Sequence, residues 1–276
     1  MLFGEMMGDY MMQSSDLKTS VDVIVRTRNS GGSLRQCLES ASRLLPVHKF
    51  VVVDNHSSDD TVKIASDYGA DIHQEKTGLG YATTLGINAS VTENIVFLDS
   101  DVIMKDSQFY HKASAILKEN KVGAVVGQAV GHNLLYGLPL SLTVMPIEIA
   151  SKISIDPWVM GRETYFMQKY LRDNGYKVRY LPDAMVHNST HRSNKHWPEW
   201  QGAWVRNTSG MRPRELAYSM LVVFLMLSNS RKVRNFLYIP IFQAKLVRGF
   251  VHPLYWQGNL TDMGKEECVE AKGAKN

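Results

Sequence analysis

Cysteine is scarce in this sequence, since only Cys37 and Cys268 occur among 276 residues. Two cysteines so far apart have neither the short spacing of a zinc site nor the density of a disulfide framework. A reducing compartment is the simplest interpretation, and we expect a cytoplasmic protein.

Long hydrophobic runs are also absent. The longest apolar stretch, 216–227, is interrupted by Ser219. As a helix it would extend roughly 18 Å, which is short of the about 30 Å of a bilayer core. A classical transmembrane helix is therefore not expected, and a buried core helix or a helix at a membrane interface remain as equal alternatives. Residues 1–20 lack the basic start and apolar run of a signal peptide, so we expect a mobile extension.

Charge is nearly balanced, with a formal net charge of +4, and we expect no nucleic-acid partner. The positive charge is concentrated late in the chain, where eight basic residues are opposed only by Glu215: Arg206, Arg212, Arg214, Arg231, Lys232, Arg234, Lys245 and Arg248. Such a surface suits phosphates or anionic lipid headgroups, or is a solvated face. We expect a basic and apolar helical region at 206–260 and a polar tail at 261–276.

Strand and helix signals alternate through the first half of the chain. Strands are predicted at 21–27, 50–53, 71–74, 95–98 and 123–129, with helical patterns between them. This alternation predicts an α/β fold over residues 21–205, with a mostly parallel central sheet flanked by helices. The stretch 131–146 has no clear pattern. Because ligands of such sheets bind at the carboxyl ends of the strands, the residues at the strand ends are candidates for function.

Two acids follow the predicted strand 95–98, as Asp99-Ser100-Asp101. Carboxylates at a strand end suit Mg²⁺ or Mn²⁺, which prefer oxygen ligands and readily bridge phosphates. The alternative is a solvated loop with Asx turns. Asp54 ends an earlier strand in the same way and either accepts a hydrogen bond from a base edge or caps the following turn. We expect the carboxylates of Asp54, Asp99 and Asp101 to face one crevice.

These motifs resemble those of the family 2 glycosyltransferases of GT-A fold. The likeness rests on four segments in order: Thr27-Arg28-Asn29, Asp54-Asn55-His56-Ser57, the stretch from Lys76 to Ala82, and Asp99-Ser100-Asp101. The Lys76 segment is similar to the glycine-rich loop of polyprenyl-phosphate sugar synthases. Arg28 stands where the family usually has an aromatic residue, so stacking on a base would use a guanidinium.

The resemblance implies a role for each matching residue. Thr27, Asn29 and Asp54 would line the nucleotide, with Lys76 and Gly78 near the base or diphosphate. Asp99 would contact the ribose or the metal, and Asp101 would ligate Mg²⁺ or Mn²⁺. His187, after a late predicted strand, would be a further metal or diphosphate ligand or a structural histidine, with His191 and His196 as alternatives.

The acceptor side matches the family less well. The family usually places two acids at the start of a helix, and here Glu163 and Thr164 stand at those positions. Glu163 is therefore the candidate general base, or else a first-turn helix acid favoured by the helix dipole. Trp197, Trp200 and Trp204 either stack on a sugar face or pack in the core.

The sequence thus predicts an inverting, metal-dependent transfer of a sugar from a nucleoside-diphosphate sugar to a glycan or lipid-linked acceptor. One alternative is a polyprenyl-phosphate acceptor, which needs no general base and would account for Thr164. A second is a nucleotide-binding protein that has lost transfer, and a weaker one is a sugar nucleotidyltransferase. Peripheral contact with the cytoplasmic membrane face would fit the basic C-terminal region.

Overall fold

The computed structural model describes residues 17, 19–128, 137–159, 161–188, 197–209, 212–228 and 233–251. Most of the predicted 1–20 extension, the 261–276 tail, His191 and His196 lie outside these residues. The strands are β1 (Val21–Thr27), β2 (Val47–Asp54), β3 (Asp71–Gln74), β4 (Asn94–Asp99), β5 (Val102–Met104), β6 (Val122–Val126), β7 (Leu142–Pro146), β8 (Lys177–Tyr180) and β9 (Met185–His187). The helices are α1 (Leu34–Leu44), α2 (Thr61–Asp67), α3 (Leu79–Ala89), α4 (Phe109–Leu117), α5 (Ile147–Ala150), α6 (Glu163–Asp173), α7 (Trp197–Ser209), α8 (Pro213–Ser228) and α9 (Val233–Val251).

Within the described residues, the central sheet has seven strands in the order β3-β2-β1-β4-β7-β6-β8. Strands β1 to β4 pair in parallel, as the alternation of strand and helix predicts. In the registers, Thr27 lies opposite Asp54 and Arg26 lies opposite Asp99. The carboxyl ends of β1, β2 and β4 therefore meet at one edge of the sheet, which is where the candidate residues lie.

Two strands were missed at the sequence level. Strand β7 lies within the unassigned stretch 131–146 and pairs antiparallel with both β4 and β6. The three-residue strand β5 pairs antiparallel with β9 outside the main sheet. Both pairings join segments far apart in the chain, and a short strand with a distant partner has little local signal.

Hydrophobic clusters cover both faces of the sheet. Val23, Val25 and Val52 pack on one face with α1, and Ile24, Val53 and Phe97 pack on the other with α3 and α6. This division follows from the two-residue period of a strand. The same alternation decides on which face of the sheet the last residue of each strand lies.

The C-terminal helices pack closely around two glycines. A Cβ at Gly202 would lie 2.0 Å from the Leu246 carbonyl oxygen, and one at Gly249 would lie 1.9 Å from that of Glu199, so α7 and α9 cross with backbones in contact. Trp204 of α7 lies against Gly161, before α6. The predicted boundary between residues 205 and 206 falls inside α7, which spans Trp197–Ser209.

Helix α8 contains the long apolar stretch, and it is neither fully buried nor able to span a bilayer. Val223 packs against Phe242 and Leu246 of α9, and Ser219 is also buried. Its opposite side is exposed although it is apolar, with Leu221 53% exposed. Within the described part of the chain, no helix is long and apolar enough to cross a membrane.

Candidate active site

The loops after β1 and β2 are joined by hydrogen bonds between side chains and backbone. The amide side-chain oxygen of Asn29 accepts from the Ser58 backbone N–H at 2.9 Å, and the Asn29 N–H donates to Ser57 Oγ at 2.8 Å. Asn29 has a left-handed backbone with φ of 46°, a conformation that asparagine tolerates better than most residues. Two consecutive strand ends are thereby held as one exposed polar rim.

Asp54 lies beneath this rim rather than in an open crevice. Its carboxylate is fully buried and accepts hydrogen bonds from the Thr27 hydroxyl at 3.0 Å and from the Ser57 backbone N–H at 2.9 Å. Asp54 and Thr27 belong to the α1 face of the sheet, whereas Asp99 belongs to the α3 face. The expectation that the three acids face one crevice is therefore corrected, because the two-residue strand period separates Asp54 from Asp99. The contacts of Asp54 are those of the alternative prediction, in which it caps the turn after its strand.

The third loop, between β3 and α3, is organised by Glu75, which the sequence analysis did not single out. Its buried carboxylate accepts from the backbone N–H groups of Thr77 and Gly78 at 2.7 and 3.0 Å, and from the Asn55 amide at 3.0 Å. This leaves Lys76 exposed at the surface of the same loop. The sequence shows Glu75 only as a charged residue within a loop. No neighbouring residue indicates that its side chain is buried.

The N-terminus of α3 is closed by another segment of the chain. The N–H of Gly80 donates to the Val159 carbonyl at 3.1 Å, and that of Tyr81 donates to the Pro157 carbonyl at 3.2 Å. A Cβ at Gly80 would lie 1.9 Å from the Asp156 carbonyl oxygen. The nucleotide-side loop and the segment 156–159 that leads toward α6 therefore form a tight seam, which requires glycine at position 80.

Asp99 is held by two partners that the sequence analysis missed. Ser141, just before β7, donates to Asp99 Oδ2 at 2.7 Å, and its backbone carbonyl accepts the Asp99 N–H at 3.1 Å. Arg26 Nη2 lies 3.5 Å from Asp99 Oδ1. Asp99 is still about one-third exposed, so a ligand can reach it.

Asp101 is placed beside His187 by the small antiparallel sheet. Strand β9 pairs with β5, and the Asn188 N–H donates to the Asp101 carbonyl at 2.6 Å. Asp101 Oδ1 consequently lies 3.4 Å from His187 Nδ1. The hydrogen bond to Asp101 raises the pKa of His187 above its ordinary value, while burial opposes the increase and the charges of Asp101 and Asp99 add to it.

This pair fits the donor set of a divalent cation, because a carboxylate from the turn between β4 and β5 and an imidazole at the end of β9 converge on one partly exposed edge. The residues that the structure describes contain no group of three or more acidic, histidine or cysteine side chains arranged to hold a metal ion. Asp99 is directed to Arg26 and Ser141 instead. A cation at Asp101 and His187 would need the phosphates of a ligand, or water, for its remaining coordination positions.

Glu163 begins α6 and is 4% exposed. Arg162 before it is buried in a left-handed conformation with φ of 60°, which turns the chain into the helix. Glu163 Oε1 accepts a hydrogen bond from Arg26 Nη1. Thr164 packs against Gly137, and its carbonyl accepts the Leu138 N–H at 3.1 Å, so it supports the segment before β7.

The structure therefore brings together two groups of candidates rather than one. Asn29, Lys76 and Gly78 lie on the loops of β1 and β3 above Thr27 and Asp54, while Asp99 and Glu163 are joined through Arg26.

Trp200 is buried and Trp204 packs on Gly161, whereas the side chain of Trp197 lies outside the described residues. Arg26 could have been noticed as one of two charged residues, with Asp22, in a strand that is otherwise mostly apolar.

The chain is similar to known proteins in both sequence and structure. The sequence model of the family Glycosyl transferase family 2 matches residues 22–173. The GT-A fold predicted from the sequence is confirmed. The mannosyltransferase PcManGT of Pyrobaculum calidifontis, solved with GDP-Man and Mn²⁺, has a TM-score of 0.62 at 16% identity over 85% of this chain and 86% of that one. Glucosyl-3-phosphoglycerate synthase of Mycobacterium tuberculosis, solved with Mn²⁺, UDP and glucosyl-3-phosphoglycerate, has a TM-score of 0.51 at 18% identity over 64% of this chain and 75% of that one.

A sequence relative supports the same assignment over a shorter segment. The 4,4'-diaponeurosporenoate glycosyltransferase of Staphylococcus haemolyticus is 29% identical over 107 residues, which are 36% of this chain and 28% of that protein. The chain thus matches little more than a quarter of this relative's length. The family match covers more than half of the chain, including Glu163 and every candidate residue before it. The chain belongs to glycosyl transferase family 2.

Proposed function

We propose that this protein transfers a sugar from a nucleoside-diphosphate sugar to an acceptor, with inversion at the anomeric carbon. The observation that carries the proposal is that Asp101 and His187 converge beside Asp99 at one edge of the sheet. Family membership and the nucleotide, nucleotide sugar and Mn²⁺ in the related structures support it. The donor would lie over the loops of β1 and β3, with Asn29, Lys76 and Gly78 at its nucleotide.

The proposed chemistry needs a proton acceptor and stabilisation of the leaving group. Glu163 would take the proton of an acceptor hydroxyl as the oxygen attacks the anomeric carbon from the face opposite the nucleotide. The glycosidic bond to the diphosphate breaks, and its electron pair leaves with the nucleoside diphosphate, whose charge Lys76 would help to neutralise. Asp101 and His187 would hold Mg²⁺ or Mn²⁺, which supplies positive charge beside the diphosphate.

The acceptor class depends on what Glu163 can do. Its Oε1 accepts a hydrogen bond from Arg26, and its side chain is only 6% exposed. A polyprenyl phosphate is the second candidate acceptor, because it is already an anion and needs no base. Thr164 at the family's second acid position, and the exposed apolar surface of the C-terminal helices, favour this alternative.

That apolar surface is formed by two packed helices. It is lined by seven exposed side chains: Tyr218, Leu221, Phe224 and Leu225 on α8, and Leu237, Tyr238 and Ile241 on α9. Arg214 and Arg248, at 74% and 69% exposure of their side chains, lie on the same two helices. Apolar residues flanked by exposed arginines are typical of a surface that rests on anionic lipid headgroups. Peripheral contact of this surface with a membrane is part of the proposal.

The donor proposal is tested by thermal unfolding with nucleotide sugars. We expect UDP-glucose or GDP-mannose to raise the melting temperature with MnCl₂ present and much less without it, since a ligand stabilises the state that it binds. Asp101→Ala should remove the Mn²⁺-dependent part and lower donor turnover by about 100-fold or more. Asp106→Asn, in an exposed ion pair with Lys112, is the matched control.

The outcomes separate the candidate functions. Stabilisation by donor and Mn²⁺ without release of nucleoside diphosphate would favour a binding protein that has lost transfer. Release of pyrophosphate from a nucleoside triphosphate and a sugar phosphate would favour a nucleotidyltransferase. Full activity of Asp101→Ala would contradict the assigned metal site.

The membrane proposal is tested by co-sedimentation with vesicles of phosphatidylglycerol and phosphatidylcholine. We expect binding that decreases in high salt and is lost in Leu221→Glu/Leu225→Glu, because charge enters an exposed apolar face. Val91→Glu is the control, as Val91 is equally exposed but lies in the loop before β4. Equal binding by the double variant, or self-association of the wild type without vesicle binding, would contradict a lipid partner.

A further inference from the structure

A buried arginine joins the candidate residues Asp99 and Glu163. Arg26, one position before the end of β1, has a side chain that is 13% exposed. Its Nη1 donates to Glu163 Oε1 and to Thr83 Oγ1, the latter at 3.1 Å, and its Nη2 lies 3.5 Å from Asp99 Oδ1. Four segments of the chain, β1, α3, β4 and α6, therefore meet on one guanidinium.

The guanidinium is suited to this position for a geometric reason. Its nitrogens point in fixed, separate directions, so one group can hold two carboxylates at once, whereas a lysine ammonium offers a single centre. The charges of Glu163 and Asp99 raise the pKa of Arg26 above its ordinary value, although burial acts to lower it. The side chain is therefore a permanent cation between two carboxylates that would otherwise be close and unpaired.

The two carboxylates belong to opposite sides of the proposed reaction. Asp99 faces the donor side and is fixed from behind by Ser141, while Glu163 is the candidate base on the acceptor side. Glu163 is almost fully buried, so its orientation depends on the groups around it. Arg26 contacts Glu163 through Nη1 and reaches Asp99 on the donor side through Nη2.

We propose that Arg26 is a positioning residue that sets the Asp99 and Glu163 carboxylates in one geometry and so aligns donor and acceptor. The inference rests on the proposed transfer activity. Arg26 acts through the two acids and does not itself contact the reacting atoms. Displacing a base by about 1 Å is enough to lower turnover by about 100-fold, so a fixed link between the two sides has a large kinetic effect.

The test compares Arg26→Met with Arg26→Lys in hydrolysis of UDP-glucose and GDP-mannose with MnCl₂, measured as release of nucleoside diphosphate. We expect Arg26→Met to lower kcat by about 100-fold and to raise KM for the donor, because both carboxylates lose their common partner. Arg26→Lys should recover most of the stability to urea but only a small part of kcat. Arg35→Met, which removes an exposed arginine paired with Asp67, should leave kcat and KM unchanged.

A double-mutant cycle identifies the route of the effect. If Arg26 acts through Glu163, Arg26→Met/Glu163→Gln should have nearly the kcat of Glu163→Gln alone, while its donor KM remains raised through Asp99. The double variant also removes the unpaired buried carboxylate of Glu163, so it keeps the test valid if Arg26→Met alone folds poorly. Losses in kcat that multiply independently would overturn the proposal, as would full recovery of kcat by lysine.

Failure of the proposed function would be seen separately. If the wild type hydrolyses neither donor, the transfer proposal is contradicted, and the positioning of Asp99 is read from calorimetric binding of UDP with Mn²⁺. Arg26→Met should then weaken UDP binding by about tenfold while Glu163→Gln leaves it unchanged. If wild type and Arg26→Met bind UDP with equal affinity, that result alone would overturn the positioning role of Arg26.

Discussion

The nucleotide side and the acceptor side of this protein are built in different ways. The nucleotide side consists of parallel strands β1 to β4, whose ends are level in register and whose loops are joined by short-range hydrogen bonds. The acceptor side is assembled from β7, α6 and α7, which reach the same edge through contacts between distant parts of the chain. The first side is encoded locally, and the second depends on the completed tertiary structure.

The largest expected difference concerns chemistry on the acceptor side. Glu163→Gln keeps the shape of the side chain but removes its basicity, so transfer to a hydroxyl acceptor such as methyl mannoside should fall by about 10² to 10⁴-fold. Nucleotide-dependent stabilisation should persist, since the donor loops are not altered. Steady-state kinetics and thermal unfolding of the same samples measure both effects.

The same variant decides between the two acceptor classes. Farnesyl phosphate is the matched acceptor, because its oxygen attacks without a base. A loss of less than about tenfold with this acceptor would indicate that Glu163 serves only to shape the site. A parallel loss of nucleotide binding would show that the two sides are not as separate as the contacts indicate.

The next effect concerns the seam between the two sides. Gly80→Ala places a methyl group 1.9 Å from the Asp156 carbonyl oxygen, where backbone must move. We expect the free energy of unfolding to fall by about 1–3 kcal/mol, the usual range for overpacking. Urea denaturation measures the loss.

Gly32→Ala is the matched control for the seam, because nothing lies within 4 Å of a Cβ at Gly32. Its stability should be unchanged or slightly increased, by up to about 1 kcal/mol, through the smaller entropy of the unfolded chain. Equal destabilisation by both substitutions would contradict the close approach at Gly80.

The smallest effect concerns pH on the nucleotide side. Hydrogen bonds from Thr61 and the Gly31 N–H lower the pKa of Asp59, although burial acts to raise it. A lowered pKa in the folded state means that the stabilisation is present above the unfolded pKa of about 3.9 and is lost as the pH falls through the folded value. Asp59→Asn should therefore reduce stability at pH 7 by a few tenths of a kcal/mol, since solvent screens an exposed group, and by less in acid.

Asp60→Asn is the control for the pH effect, because the Asp60 side chain makes no capping hydrogen bond at the start of α2. Urea midpoints at neutral and acidic pH compare the two variants. A difference between Asp59→Asn and wild type that grows as the pH falls would reverse the predicted sign.

The sequence predicted most of the nucleotide side because its information is local. Val23 to Val25, Val51 to Val53 and Val96 to Leu98 form continuous apolar strands, and each strand end is marked by polar residues within a few positions. The sequence also indicated Asp101 and His187 by residue type and position. Their contact followed only from the pairing of β5 with β9, a pairing with no local signal.

What the sequence by itself determined is the α/β alternation, the mostly parallel character of the sheet and the residues at the strand ends, since periodicity and turn chemistry act over a few positions. Tertiary structure alone decided that Asp54 is buried on one face of the sheet while Asp99 turns to the other, and that Arg26 joins Asp99 to Glu163. It also decided that β7 completes the sheet with Ser141 behind Asp99. The physical reason is that register, sheet face and ion pairing arise between segments distant in the chain, and each is fixed only when the strands and helices pack.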